Sequence, residues 1–152
     1  MRIYLDVSSL NRPFDDQGQV RIRLEADAIT WILERMDEGD WTQVSSDMAT
    51  IEVTAIQDPD RKARVRLLLP KSENVLTLTQ ATFERAAELQ GVGFKPADAV
   101  HIAAAEEARA DVFLSCDDRL CRLAHRQQRG LRVRVANPLD WLKEIGDAAN
   151  AR

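Results

Sequence analysis

The chain has 152 residues, 45% hydrophobic and 30% charged, a mixture that fits one globular domain and excludes a peptide, a fibre and a disordered tail. At this length roughly two thirds of the unfolded chain's surface can be buried, so a core forms without disulfides or structural metal, and any metal serves chemistry. The net charge of −4 argues against a general nucleic-acid coat, yet residues 119–134 carry six arginines and no acid, a basic strip on an acidic body.

No apolar run approaches the ~20 residues that cross a bilayer. The opening MRIYLDVSSL reads as a strand containing Asp6 and not as a signal peptide, which predicts a cytoplasmic protein. Cys116 and Cys121 are five apart and follow neither a CxxC pattern nor a secreted disulfide framework, so they are read as free thiols.

In chain order, residues 2–6 predict a strand ending in a carboxylate. The following SSLNRPFDD predicts an irregular polar loop, because Pro13 and Asp15-Asp16 discourage regular structure. A helix is expected over residues 19–36, where Val20, Leu24, Trp31, Ile32 and Met36 recur at near-helical spacing and Gly39 stops it. Residues 42–45 read as a second strand, and Ser46 or Asp47 can cap a helix to about Gln57, broken by Asp58-Pro59. A helix over 61–69, a strand over 74–78 and a helix from the cap Thr79 through Gln90 follow, ending at Gly91. Pro96 opens the next helix, whose Ala103-Ala104-Ala105 run allows close approach to a sheet. Residues 111–115 predict a fourth strand, 118–128 a basic helix and 132–135 a fifth strand. Pro138 opens a short last helix. No repeat or linker interrupts the pattern, so residues 1–145 are expected to form one domain and 146–152 a frayed tail. Strands alternating with helices predict an α/β three-layer sandwich around a parallel five-stranded sheet, with ligands at the carboxyl ends of the strands near the switch in strand order.

Asp6 and Asp117 fall at such strand ends. Asp98 is the third residue of its helix, near the positive end of the helix dipole. Glu52 lies four after Met48 and four before Ile56, on a face shared with apolar side chains, and is expected to point inward. Singly each reads blandly, as a turn acid, a first-turn acid or a solvated edge. Together, four carboxylates in one cleft repel by up to about 4 kcal/mol per close pair at an effective dielectric of about 20, an arrangement that calls for cations. Oxygen-only ligands select Mg2+ or Mn2+, and Cys/His spacing for zinc is missing.

These segments resemble the PIN-domain ribonucleases, particularly the VapC-like toxins of bacterial and archaeal toxin–antitoxin pairs. The resemblance spans nearly the whole chain. It is carried by YLDVSSLNRPF with Asp6 and Ser8, by Glu52, by KPADAVHIAAA with Asp98, and by FLSCDDRL with Ser115 and Asp117. The first segment departs from the Asp-Thr-Asn or Asp-Thr-Ser of many relatives, since Val7 lacks a hydroxyl while Ser8 keeps one. The resemblance implies acids at four places that bind Mg2+ or Mn2+ and cleave RNA to leave 5′-phosphate and 3′-hydroxyl ends. It also implies a homodimer, and an antitoxin whose tail fills the cleft, often with an arginine near the acids.

The family's Thr/Ser-x-Asp pattern falls on Ser115-Cys116-Asp117, which assigns Asp117 as ligand and leaves Asp118 as a helix-start acid that could share its role. His101, three after Asp98, is read either as a buried structural histidine or as a partner for Asp98 or a phosphate; His125 is read as solvated. Ser8 and Ser115 lie in no G-x-S-x-G turn and are expected to hydrogen-bond carboxylates or water. Arg122, Arg126 and Arg129, spaced four and three, are expected on one helix face as RNA-backbone contacts, against the reading of a solvated face. Two other functions fit less well. One is a catalytically inactive PIN-like module that binds RNA or protein. The other is a phosphoacceptor receiver domain built on Asp6, Asp47 and Lys95-Pro96, which lacks an acid pair after the first strand.

Overall fold

The computed structural model describes residues 1–150. β1 (Arg2–Leu5) is buried at Ile3, Tyr4 and Leu5, as expected of a strand covered on both faces. Asp6 ends the strand and caps α1 (Val7–Asn11), which passes into a 3-10 turn over Arg12–Phe14. The irregular loop expected here is therefore ordered. Pro13 sits at the start of the turn, where its missing N–H is not needed, and Asp15 accepts from Arg12 at 3.1 Å and Arg61 at 2.9 Å.

α2 (Val20–Asp37) buries Glu25, Ala26, Ala28, Ile29 and Ile32. Val20, Leu24 and Trp31 of the expected stripe are exposed, because the inward face is set by Ile29 and Ile32 meeting Ile3 and Leu5. Gly39, at φ +86°, turns the chain into β2 (Thr42–Ser46) through a conformation that favours glycine. Ser46 caps α3 (Asp47–Thr54), and Asp58 caps α4 (Pro59–Arg66). A 3-10 turn (Ser72–Asn74) leads to a two-residue β3 (Val75–Leu76), and Thr79 with Thr82 forms a capping box on α5 (Gln80–Gly91).

α6 (Pro96–Glu107) follows, then β4 (Val112–Leu114) and α7 (Asp118–Arg126). A 3-10 turn (Gln128–Gly130), β5 (Arg134–Ala136) and α8 (Pro138–Asn150) complete the order. The expected helix face of three arginines is corrected here: α7 ends at Arg126, so Arg129 lies on the separate turn. The tail expected from Gly146 is helical through Asn150, on a helix anchored by buried Trp141 and by Ile145 against the core; residues 151 and 152 lie outside the described residues.

The five strands form one parallel sheet in the order β3-β2-β1-β4-β5. Tyr4, Val44 and Phe113 face α5 and α6, where Ala99 and Ala103 to Ala105 are fully buried, so the small side chains bring α6 close to the sheet. Ile3, Leu5, Val112 and Leu114 face Ile29, Ile32 and Trp141 of α2 and α8. These are the three layers of the sandwich. Strand order reverses between β1 and β4, which puts the switch point between Asp6 and Ser115. No described helix is long and apolar enough to cross a membrane.

Candidate active site

Asp6 is 6% exposed, and its Oδ1 accepts from the Ser8 hydroxyl at 2.7 Å and the Ser9 amide at 2.9 Å. Ser8 Oγ lies 3.4 Å from Ser115 Oγ and accepts from the Cys116 amide at 3.3 Å. Ser115 Oγ accepts from the Asp117 amide at 3.0 Å. The two serines thus stitch the end of β1 to the end of β4. Burial raises the Asp6 carboxyl above the usual range, opposed by Ser115, Ser8, the Ser9 amide and His101.

Asp117 caps α7, accepting from the Arg119 and Leu120 amides at 3.0 and 3.2 Å. Asp98 and Asp117 line a small concavity of about 20 Å³ with Lys95 and Arg119. The Asp98 carboxyl is pushed up to about 6, first by burial and then by Asp6 and Asp117, against His101 and Lys95. Asp6, Asp98 and Asp117 therefore share one electrostatic neighbourhood, and among the described residues none of them is in an ion pair.

Glu52 is held differently. Its side chain is 33% exposed, so the inward orientation is partial, and its carboxylate bonds His101 Nε2. His101 is 3% exposed, and its Nδ1 lies 2.7 Å from the Tyr4 hydroxyl, itself 2.8 Å from Ser46 Oγ. The histidine is thus buried and fully partnered, and its carboxylate partner is Glu52, not Asp98. As the side chains stand, no three Asp, Glu, His or Cys among the described residues are arranged around a metal ion. The donor chemistry nonetheless fits a hard divalent cation: the aspartates are all-oxygen donors, and among the described residues none of them is ion-paired.

Asp118 points elsewhere, to Arg21 of α2, whose Nη1 donates to Oδ2 at 2.6 Å. This pairing holds its carboxyl below the usual range and turns it toward α2. Arg122, Arg126 and Arg129 are exposed and unpaired among the described residues, whereas Arg134 donates to Glu144 at 2.6 Å. His125 is exposed, and both cysteines are free; burial pushes the Cys116 thiol up to about 11 and the Cys121 thiol up to about 12.

Residues 3–126 match the family described as PIN domain. The chain belongs to the PIN domain family. PIN domains are generally nucleases that use a divalent metal. No curated protein matches the chain. Among solved structures, a chain of VapBC2 from Rickettsia felis bound to a DNA fragment from their promoter is similar, with a TM-score of 0.59 and 10% identity over 90% of this chain and 98% of that one. At that identity the likeness bears on fold alone.

Membership of this PIN domain family overturns the receiver reading, and so does topology: a receiver sheet runs 2-1-3-4-5, unlike the order here. Asp47 instead accepts from the Leu78 amide at 3.3 Å. Three residues of this PIN domain escaped sequence reasoning. Tyr4 shares the strand face of Asp6 two residues on, a period-2 signal that was available. Ser46 was legible only as a cap. Glu25, 1% exposed, meets Arg12 Nε at 3.1 Å, Arg21 Nε at 3.4 Å and Asn137 Nδ2 at 2.5 Å; the i,i+4 pair with Arg21 was its one local sign.

Proposed function

We propose that this PIN domain is a Mg2+- or Mn2+-dependent endoribonuclease, acting as the toxin of a toxin–antitoxin pair. One observation supports the reading: Asp98 at the start of α6 is close enough to feel both Asp6 at the end of β1 and Asp117 at the start of α7, its carboxyl being raised first by burial and then by these two acids, and among the described residues none of the three is in an ion pair. Asp6, Asp98 and Asp117, with Glu52 from α3, would hold one or two ions. A divalent ion bound there supplies a more acidic water and neutralises charge on the phosphodiester. Ser8 and Ser115 hold Asp6 and the Asp117 amide in place. The exposed Arg122, Arg126 and Arg129 draw the RNA backbone toward an acidic protein. No side chain need act as nucleophile.

An antitoxin partner is supported by the VapBC2 complex to which the fold is similar, and a homodimer by the family resemblance. The site is filled most simply by an antitoxin arginine that answers the uncompensated acids. The second reading is a PIN domain that binds RNA or protein without cleaving. It is favoured by the finding that, among the described residues, no three acidic side chains are arranged for an ion as they stand.

Purified protein incubated with structured and unstructured RNAs in Mn2+, Mg2+ or chelator separates the two. Cleavage only with the divalent ion, leaving 5′-phosphate and 3′-hydroxyl ends, is expected. Binding without cleavage in any divalent ion supports the inactive module. The toxin assignment predicts that expression arrests growth and that Asp98→Asn relieves the arrest.

A further inference from the structure

The polar chain behind Glu52 has one consistent direction. Ser46 is fully buried, and its Oγ accepts from the Met48 amide at 3.2 Å, so its own hydrogen needs another acceptor. Among the described residues that acceptor is the Tyr4 oxygen, 2.8 Å away. Tyr4 then donates its hydroxyl hydrogen to His101 Nδ1, at 2.7 Å. An Nδ1 that accepts leaves the imidazole proton on Nε2, where it is donated to the Glu52 carboxylate. Each donor and acceptor in the series Ser46, Tyr4, His101, Glu52 is matched. The reverse direction strands the Ser46 hydrogen in the core.

Its parts are rigid. Tyr4 is fully buried and stacks on Phe113 with ring centroids 5.1 Å apart, and its register places it opposite Val44 and Phe113. His101 lies edge-on to the Tyr4 ring at 5.7 Å and is fixed on α6, three residues from Asp98. Glu52, by contrast, is partly exposed. A flexible carboxylate at the surface is thus tethered to the centre of the sheet.

We infer that His101 is a positioning residue for Glu52, locked in its Nε2–H form by Tyr4 and Ser46, so that the carboxylate faces the cleft of Asp6, Asp98 and Asp117. The inference rests on the reading of Glu52 as a metal ligand. A carboxylate anchored through one oxygen keeps the other for an ion, and outer partners of this kind are worth about 10–100-fold in metal affinity.

The test begins with the metal-free protein. Proton–nitrogen correlation of the imidazoles is simple here, because the chain has two histidines and His125 is exposed. The proton of His101 is expected on Nε2, and in Tyr4→Phe it is expected to stay there, held by the Glu52 carboxylate, while the Nδ1 resonance shifts on losing its donor. A parent protonated on Nδ1 overturns the inference. Mn2+ affinity, measured by calorimetric titration, gives the second reading. Tyr4→Phe is expected to weaken it by about 10-fold and His101→Leu by about 10–100-fold. His101→Gln places an amide N–H where Nε2–H stood and is expected to restore affinity to within about threefold of the parent.

Equal losses in His101→Gln and His101→Leu assign His101 to packing alone and overturn the proposal. Glu52→Gln with parental Mn2+ affinity removes Glu52 from the metal site, while the imidazole spectrum still reports the tether. A parent that binds no Mn2+ contradicts both the tether's purpose and the nuclease reading.

Discussion

Asp98 carries the clearest electrostatic signature of the cleft. Its carboxyl titrates at about 6 in the folded protein against 3.8 without the fold, so between those values the folded chain binds more protons than the unfolded one. Stability of the metal-free protein therefore falls as pH rises through that window, the sign expected of a carboxyl whose folded pKa is raised. In chelator, the melting temperature of Asp98→Asn relative to the parent is predicted to climb from about pH 4 to about pH 7 and then level off. A difference that stays constant over that range contradicts a carboxyl raised by burial and by Asp6 and Asp117. The placement of Asp6 at a strand end and of Asp98 and Asp117 at helix starts was legible in the sequence because these are local features. The Glu52 to His101 to Tyr4 connection was not, since its bonds span 49 and 97 residues and depend on how α3 and α6 meet across the sheet.

The elements show where local reading succeeds and where packing decides. Caps at Asp6, Ser46, Asp58, Thr79 and Asp117 start helices as short polar side chains do. Of the stripe expected on α2, Ile32 and Met36 pack on the core while Val20, Leu24 and Trp31 are exposed, because contact with β1 chooses the face of Ile29 and Ile32. That face includes Glu25, which joins α2 to the 3-10 turn through Arg12 and to the start of α8 through Asn137. Glu25→Ala leaves these groups without their anion, and denaturant unfolding is predicted to show a loss of about 3 kcal/mol, with Glu25→Gln losing less. A loss within error contradicts the anchoring role. On α7 and the turn after it, Arg122, Arg126 and Arg129 changed together to Gln should flatten the slope of log K against log salt for single-stranded RNA by about 2. Metal affinity should survive. An unchanged slope assigns the strip to solvation or to an antitoxin.

At the scale of the whole molecule, a parallel sheet whose order reverses beside β1 brings Asp6 and Asp117, far apart in sequence, to the same rim, where such folds place their ligands. Alternation of strand and helix was enough to read that architecture. Element ends were less legible, as the two-residue β3 shows, because a short strand is defined by its partner β2 and not by its own sequence. A cation that binds only the folded state stabilises it by mass action. With free Mn2+ at about 100 times its dissociation constant the gain is about 2.7 kcal/mol, or roughly 5–10 °C for a domain of this size. A melting temperature insensitive to Mn2+ and Mg2+ contradicts a metal site at the cleft.

The central claim is that the aspartates at the switch point cleave RNA through a divalent ion. Its most direct test compares the parent with Asp6→Asn, Asp98→Asn and Asp117→Asn on one RNA, in Mn2+ and in chelator, after circular dichroism has shown that each variant is folded. The account predicts cleavage by the parent in Mn2+ alone and a loss of at least about 100-fold in each variant, since an amide keeps the volume of the carboxylate but not its charge. Full cleavage by folded Asp98→Asn, or cleavage by the parent in chelator, would contradict it.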